Sequence, residues 1–249
     1  MSRLLPSSSK IGPILNTALD YLYPPACHHC ATSTSNGRYL CATCFDQAAL
    51  IEAPFCQQCG EMYDGNISNT FLCPNCHSRQ FSFDFARAAL RNTNENHQLI
   101  IDLKYLKQFY LAGELARYCA NTISTDSRFS RLPSPVLIPV PLHWRRSWQR
   151  GFNQAEEISR ALSKLTSIPY KKCLKRTRHT QTQTKLDRKH RLHNLQGAFQ
   201  IRSIPKHFRS AILIDDVFTT GSTAEACSST LRKHAPQLEN IVVLTALRG

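Results

Sequence analysis

Apolar positions along this 249-residue chain fall partly into helical spacing and partly into short unbroken runs. Near the start, Ile11, Ile14, Leu15, Ala18, Leu19 and Leu22 recur at three- and four-residue intervals. They predict a short amphipathic helix within residues 1–26, ended by Pro24 and Pro25. Further on, "FDFARAALR" predicts a strand, and "NENHQLIIDLKYLKQFYLAGELARYCANTI" predicts one or two helices with a break near Gln108. Residues 126–135, rich in Ser, Arg and Pro, predict a loop. Val136 to Val140 and Ala211 to Ile214 are continuous apolar runs, the pattern of strands buried on both faces of a parallel sheet. Pro139 and Pro141 end the first run, and the acids Asp215 and Asp216 end the second. Asn153 to Leu162 has helical spacing, "GAFQI" predicts a strand, and "AEACSSTLRKHA" predicts a helix with basic residues near its end. The fold class expected is α/β, a mostly parallel twisted sheet flanked by helices.

Cysteine changes this picture at one place. Of eleven cysteines, eight form four C-x-x-C pairs between residues 27 and 76: Cys27/Cys30, Cys41/Cys44, Cys56/Cys59 and Cys73/Cys76. A C-x-x-C turn points two thiolates at one ion, and a second turn brought alongside completes a closed tetrahedral zinc site. Residues 27–77 therefore predict a double zinc ribbon with two structural zinc ions. Pairing in chain order is the simplest arrangement; an interleaved pairing, redox dithiols or a disulfide framework are the alternatives. His28 and His29 lie inside the first turn as substitute ligands or bystanders, and Cys119, Cys173 and Cys227 fit core positions. Four thiolates leave zinc no open position, which makes this module structural or an interaction surface and not a catalytic centre.

The chemistry lies instead in "AILIDDVFTTGSTAEAC", residues 211–227. A loop of small hydroxyl residues and glycine that opens a helix after a buried strand presents backbone N–H groups and the positive end of the helix dipole to a phosphate. Two adjacent acids before it suit a ligand with hydroxyls or a bound Mg²⁺ beside that phosphate, as in a sugar phosphate. Capping by Thr220 or Ser222 explains a helix start but calls for no paired acids. Neither G-x-G-x-x-G nor G-x-x-x-x-G-K-[ST] is present.

"ILIDDVFTTGST" resembles the phosphoribosyl-pyrophosphate (PRPP) binding motif of type I phosphoribosyltransferases. By that resemblance Asp215 and Asp216 bind the ribose hydroxyls and are the catalytic-site acids. The loop Thr219, Thr220, Gly221, Ser222 and Thr223 holds the 5′-phosphate, Val217 is a further PRPP-binding candidate, and Mg²⁺ arrives on PRPP. The strand ending at Val140 is followed by "PLHWRRSWQRGFN", where the same resemblance places pyrophosphate on Leu142 and His143, with Arg145, Arg146 and Arg150 supplying charge. The long basic stretch 171–201 corresponds to a loop that closes over the site, with Arg176, Gln183 and Arg191 among its candidates. Over nearly the whole chain, "YPPAC", the paired cysteines, "DLKY", "PVPLHWRRSWQRGFNQA", "RTRHTQTQTKLDRKHRLHNLQGAF" and "LIDDVFTTGST" resemble the ComF/GntX family of competence-type phosphoribosyltransferase-like proteins. This implies a type I phosphoribosyltransferase-like domain at 78–249 and a role in natural transformation, in the company of other DNA-uptake or recombination proteins. No glutaminase half is expected, since the chain opens Met1-Ser2-Arg3 and not on a cysteine nucleophile.

Charge adds a second reading. The chain carries a net +14, and residues 143–194 hold 14 lysines and arginines against three acids. With Trp144, Trp148 and Phe152 interleaved, that segment suits single-stranded DNA, phosphates meeting cations and bases stacking on rings. A basic active-site loop gives the same surplus without DNA. The functions in view are thus a PRPP- and DNA-binding protein of DNA uptake, a PRPP-dependent glycosyltransferase of unknown acceptor, and a zinc-ribbon adaptor with an inert transferase domain. No run reaches membrane-spanning length and no signal peptide is evident, so the expected location is the cytoplasm.

Overall fold

The main sheet is built on two nine-residue strands, β5 (Ser210–Phe218) and β6 (Asn240–Arg248), which pair in parallel from Ser210 opposite Asn240 to Phe218 opposite Arg248. In this computed structural model, residues 25–63, 65, 71–142, 148, 150–177, 195 and 197–249 are described. The expected helix over 11–22 lies outside them. β1 (Phe85–Leu90) pairs with the far side of β6, and β2 (Pro135–Pro139) with the far side of β5, so the four-stranded sheet runs β1-β6-β5-β2 with every pair parallel. A separate antiparallel pair is formed by β3 (Leu174–Arg176) and β4 (Phe199–Ile201). The expected α/β architecture is therefore the observed one, with "GAFQI" in the small hairpin and not in the main sheet.

Two differences from the periodicity reading matter. The strand does not stop at the acids: β5 continues through them, because Asp215 lies opposite Thr245 and Val217 opposite Leu247 in the ladder with β6. Backbone pairing ignores side-chain polarity, so a polar doublet at a sheet's end looks like a terminus when it is not. The run "NIVVLTALR", which the sequence reading above leaves without an element, is that partner strand, and Ile241 to Leu247 are almost fully buried.

Helices cover both faces. Residues Val136, Ile138, Ala211, Leu213, Ile241 and Val243 share one core cluster with Cys227 and Leu231 of α7 (Ser222–His234). The alternate residues Leu137, Ile212, Ile214, Val242 and Leu244 point to the other face. There α4 (Leu111–Thr125) and α6 (Gln154–Thr166) pack on each other and on the sheet. α3 (Asn94–Tyr105) precedes α4, with the break falling at Leu106–Tyr110, and a short helix α5 (Ser127–Ser130) occupies part of the expected 126–135 loop. Caps explain the boundaries. Thr93 accepts from the Asn96 amide at 3.2 Å to start α3, and Asn153 accepts from the Ala155 amide at 3.1 Å to start α6, whose first turn carries Glu156 and Glu157.

The chain forms two compact units, Met1–Ala48 and Ala49–Gly249. Their boundary falls inside the 27–77 segment, so one cysteine quartet belongs to each unit. In the second unit, Cys56, Cys59, Cys73 and Cys76 join the core cluster beside Phe83, Ala86 and Phe218. The turn after Cys59 lies against β1: the Ala86 amide donates to Gln58 O at 2.8 Å, and Gly60 takes a φ of +69°. A methyl group on Gly60 would meet the Ala86 carbonyl oxygen at 2.9 Å. Gly60→Ala therefore combines left-handed strain, about 1–2 kcal/mol, with a backbone clash. A lower melting temperature for the zinc-loaded variant is the expected result; an unchanged one would show that the turn can move off β1.

Candidate metal centres and sugar-phosphate site

Two groups of four thiols are brought together, Cys27/Cys30/Cys41/Cys44 and Cys56/Cys59/Cys73/Cys76, each with all four sulfurs within 4.8 Å of one another. The pairing is thus in chain order and not interleaved. Sulfur separations of 3.7 Å for Cys30–Cys41 and for Cys59–Cys73 are far from a disulfide bond. They match the edge of a tetrahedron with metal–sulfur bonds of about 2.3 Å. The donor set fits zinc.

Local backbone shapes these sites. In the first, the Ala31 amide donates to Cys27 O at 2.8 Å and the Cys44 amide faces the Cys41 sulfur at 3.4 Å, where Cys41 begins the short helix α1 (Ala42–Asp46). In the second, the Gly60 amide donates to Cys56 O at 2.9 Å and the Cys73 amide donates to the Cys56 sulfur at 3.2 Å. Cys73 precedes a second short helix, α2 (Pro74–His77). Crowding splits the acidities of these thiols. A hydrogen bond from the Cys59 thiol pulls Cys56 down to about 4, whereas its partner Cys59 is driven above its ordinary range by the same bond and by burial. Burial pushes Cys76 up to about 12. Four thiolates this close repel one another, and a divalent cation is what lets all of them ionise.

The second centre of interest sits where β5 meets α7. Asp215 and Asp216 stand at the carboxyl end of β5, and the Asp216 amide donates to Asp215 Oδ1 at 2.9 Å. Lys104, in the last turn of α3, brings its Nζ to 2.6 Å from Asp216 Oδ2. Burial pushes the Asp215 carboxyl well above the usual carboxylate range, and the negative Asp216 beside it adds to the push. One acid of the doublet is therefore harder to ionise than a free carboxyl, and the other is paired with a lysine. This lowers the negative charge that a phosphate would meet on approach.

Beyond the acids, Phe218 to Gly221 turn into α7. Gly221 is the residue at the helix start, with a φ of +74° and no side-chain cap, so the first-turn amides of α7 receive no capping side chain there. Thr220 and Ser222, candidates for capping on sequence grounds, instead place their hydroxyls 2.9 Å apart. A methyl group on Gly221 would lie 2.8 Å from the Phe218 ring, which is why glycine occupies this position. The carbonyl side of the turn is held from below by Arg248. Its Nη1 donates to Phe218 O at 2.7 Å and Thr219 O at 2.9 Å, while Nη2 pairs with Glu61 beside the second cysteine quartet. A bond thus runs from the ribbon to the loop.

Other sequence candidates separate into two groups. Leu142 and Arg176 line one cavity of about 430 Å³, together with Asn153, Lys172, Lys175 and Arg202. Asn153 donates from Nδ2 to Val140 O at 3.0 Å, so the residue that caps α6 also closes the loop after β2. Arg150 lies over the Tyr105 ring at 5.3 Å. His143, Arg145, Arg146, Gln183 and Arg191 lie outside the described residues. Lys104, Asn153, Glu61 and Arg248 are the positions sequence reasoning passed over. Lys104, in "DLKY", and Asn153, in "PVPLHWRRSWQRGFNQA", carried a signal, but nothing in their spacing placed Lys104 beside Asp216 or Asn153 against Val140.

Comparison with known proteins adds family to geometry. Residues 18–77 match the double zinc ribbon domain family. Competence protein F of Haemophilus influenzae is 35% identical over 214 residues, which span 83% of this chain and 90% of that protein. The chain belongs to the ComF family. Within the wider set, this ComF-family protein is 29% identical to DNA utilization protein YhgH of Escherichia coli K12 over 221 residues, 87% of the chain and 95% of that relative. It is 30% identical to competence protein ComFC of Bacillus subtilis over 121 residues, 47% of the chain and 48% of that protein. Among the described residues, no helix is long and apolar enough to cross a membrane.

Proposed function

We propose that this ComF-family protein binds PRPP, or a closely related Mg²⁺-loaded sugar phosphate, at the end of β5 and handles single-stranded DNA in the cytoplasm during DNA uptake. The relatives named for competence and for DNA utilization support the biological setting. One observation carries the site: an acid doublet, offset by Lys104, faces the same end of the sheet as the uncapped start of α7.

In this reading Asp215 and Asp216 accept or share hydrogen bonds with the two ribose hydroxyls. Val217, Thr219, Thr220, Gly221, Ser222 and Thr223 surround the 5′-phosphate, with the helix dipole of α7 favouring its charge. Lys104 keeps the doublet from repelling that phosphate. Leu142 and His143, the residues after β2 in sequence, are the pyrophosphate-loop candidates, Gln183 is a neutral donor, and Arg145, Arg146, Arg150, Arg176 and Arg191 balance the pyrophosphate charge. Were the pyrophosphate to leave from C1, these cations would stabilise the departing charge, and positioning with electrostatics would supply the rate. Mg²⁺ belongs to the substrate complex. The zinc ions stay structural.

Asp215→Asn/Asp216→Asn tests the site with nearly unchanged shape. Calorimetry with PRPP and Mg²⁺ should show at least a hundredfold loss of affinity, while zinc content and melting behaviour stay those of the parent protein. Retention of the parent affinity would reject the assignment.

A further inference from the structure

We propose that the surface next to Lys104 is a stacking platform for the bases of a single-stranded nucleic acid, formed by Tyr105, Phe109 and Trp148 with Arg150 and Lys107 meeting the phosphates. The inference rests on the DNA-handling reading above and gives it a place; it does not depend on the sugar-phosphate assignment.

Large apolar side chains are rarely left in water without use when they cluster. Here Tyr105 is 63% exposed, Leu106 62%, Phe109 50% and Trp148 85%. These values are too high for core positions. Helix α3 ends at Tyr105, and Lys107 then takes a left-handed φ of +56°, which turns the chain away from the helix axis. Phe109 meets Phe152 edge to face at 4.6 Å between ring centres. Arg150 covers the Tyr105 ring at 5.3 Å. Residues 105–109 are therefore joined to Arg150 and Phe152, far along the chain, by aromatic and cation–π contacts, and Trp148 lies two residues before Arg150.

Charge identifies the occupant. An apolar protein partner would have to bury Arg150 and Lys107, whereas a nucleic acid strand offers a phosphate for each cation and a base face for each ring. The cationic surplus of residues 143–194 surrounds Arg150 in the sequence. Base faces are free only in a single strand, which excludes a duplex as the fitting ligand. Of the acids near this surface, Asp102 in α3's last turn is buried and accepts from Gln98 Nε2 at 2.6 Å, and Asp216 is paired with Lys104, so both add little repulsion.

Fluorescence anisotropy of a labelled 20-nucleotide thymidine strand tests this with the full-length, zinc-loaded chain. Tyr105→Ala and Trp148→Ala should each weaken binding about 5- to 100-fold, the range for loss of one stacked base. The slope of log affinity against log salt should not change, since no charge is removed. Arg150→Ala should instead reduce that slope by about one. A blunt duplex of the same length should not respond to the two aromatic substitutions. Asp215→Asn/Asp216→Asn should bind the strand at least as tightly as the parent, because it frees Lys104 beside the platform while losing PRPP, which separates this result from that of the sugar-phosphate test. Parent-like affinity in Tyr105→Ala and Trp148→Ala would overturn the platform. If sedimentation also showed parent dimers that these variants lose, a second copy of the chain would be the occupant instead. Absence of strand binding by the parent at low salt would overturn the DNA reading and the platform together.

Discussion

Cys59→Ser is expected to unfold the Ala49–Gly249 unit, whereas Cys30→Ser is expected to cost one zinc ion and leave the melting of that unit unchanged. The asymmetry follows from burial. Cys56, Cys59, Cys73 and Cys76 are 0–6% exposed and share a core with Phe83, Val136, Leu213 and Val243. Backbone bonds weave the same segment into the sheet edge, including Ile51 N to Ala89 O at 3.0 Å, Ala86 N to Gln58 O at 2.8 Å and Arg91 N to Ala49 O at 2.8 Å. Zinc in such a site contributes about 10–16 kcal/mol of apparent binding energy, as much as or more than the 5–15 kcal/mol net stability of an ordinary domain. Losing one thiolate leaves three others crowded in a buried space without their cation. Cys30, by contrast, is exposed and belongs to the Met1–Ala48 unit. Metal analysis with thermal denaturation followed by circular dichroism provides the check. A Cys59→Ser protein that melts like the parent would show that the second quartet is decoration on the core and not part of it.

A second large effect is expected at Asp126, where substitution by alanine should destabilise the protein by about 3–5 kcal/mol, the cost of breaking a buried ion pair from one side. Asp126 lies 3.1 Å from Arg87 Nε and 2.6 Å from Arg128 Nη2, so one carboxylate serves two guanidinium groups. Both arginines are committed to the ribbon: Arg87 sits 3.6 Å over the Phe55 ring and donates to Ile51 O at 3.2 Å, and Arg128 donates to Gln57 O at 2.9 Å. Burial already pulls Arg87 down to about 10. Without the acid the two cations face each other with no counter-charge between them. For a unit of this size, a loss on this scale lowers the melting temperature by roughly 10 °C.

The same residue sets a pH dependence. Burial alone would raise the Asp126 carboxyl, but hydrogen bonds and charge from Arg128, and then Arg87, outweigh it and hold the carboxyl below its usual range. Its folded value therefore lies below its unfolded one. The stability it contributes is complete above the unfolded value of about 4 and is lost as pH falls through the folded value. The parent protein should lose stability on acidification through that window, and Asp126→Asn should lose less. Equal acid sensitivity in the two proteins would place the acid response elsewhere.

How far these sites were legible in the sequence depended on whether their parts were close along the chain. The cysteine quartets were, because a C-x-x-C turn is a local device and two such turns within a short stretch suffice. The β5 acids and the α7 loop were also local, lying within ten residues. Lys104 was not, because it reaches Asp216 only after α3 has packed beside the sheet, across more than a hundred residues. Arg248 and Glu61 likewise meet only because β6 ends beside the second ribbon turn. The end of β5 was misread for a related reason, since a run of apolar residues marks where a strand is buried and not where its ladder stops.

The sequence by itself determined that this protein is an α/β chain with two four-thiolate centres and a strand-acid-acid-loop-helix unit. Each of these is written in spacing that survives without tertiary context: periods of two and near four, paired thiols and small residues at a turn. Only the folded chain decided which compact unit owns each metal centre, which lysine offsets the acid doublet, and which exposed aromatic residues stand beside it. Those are contacts between residues distant in sequence, fixed by how the sheet is ordered and what packs on its faces, and a one-dimensional pattern carries no measure of that distance.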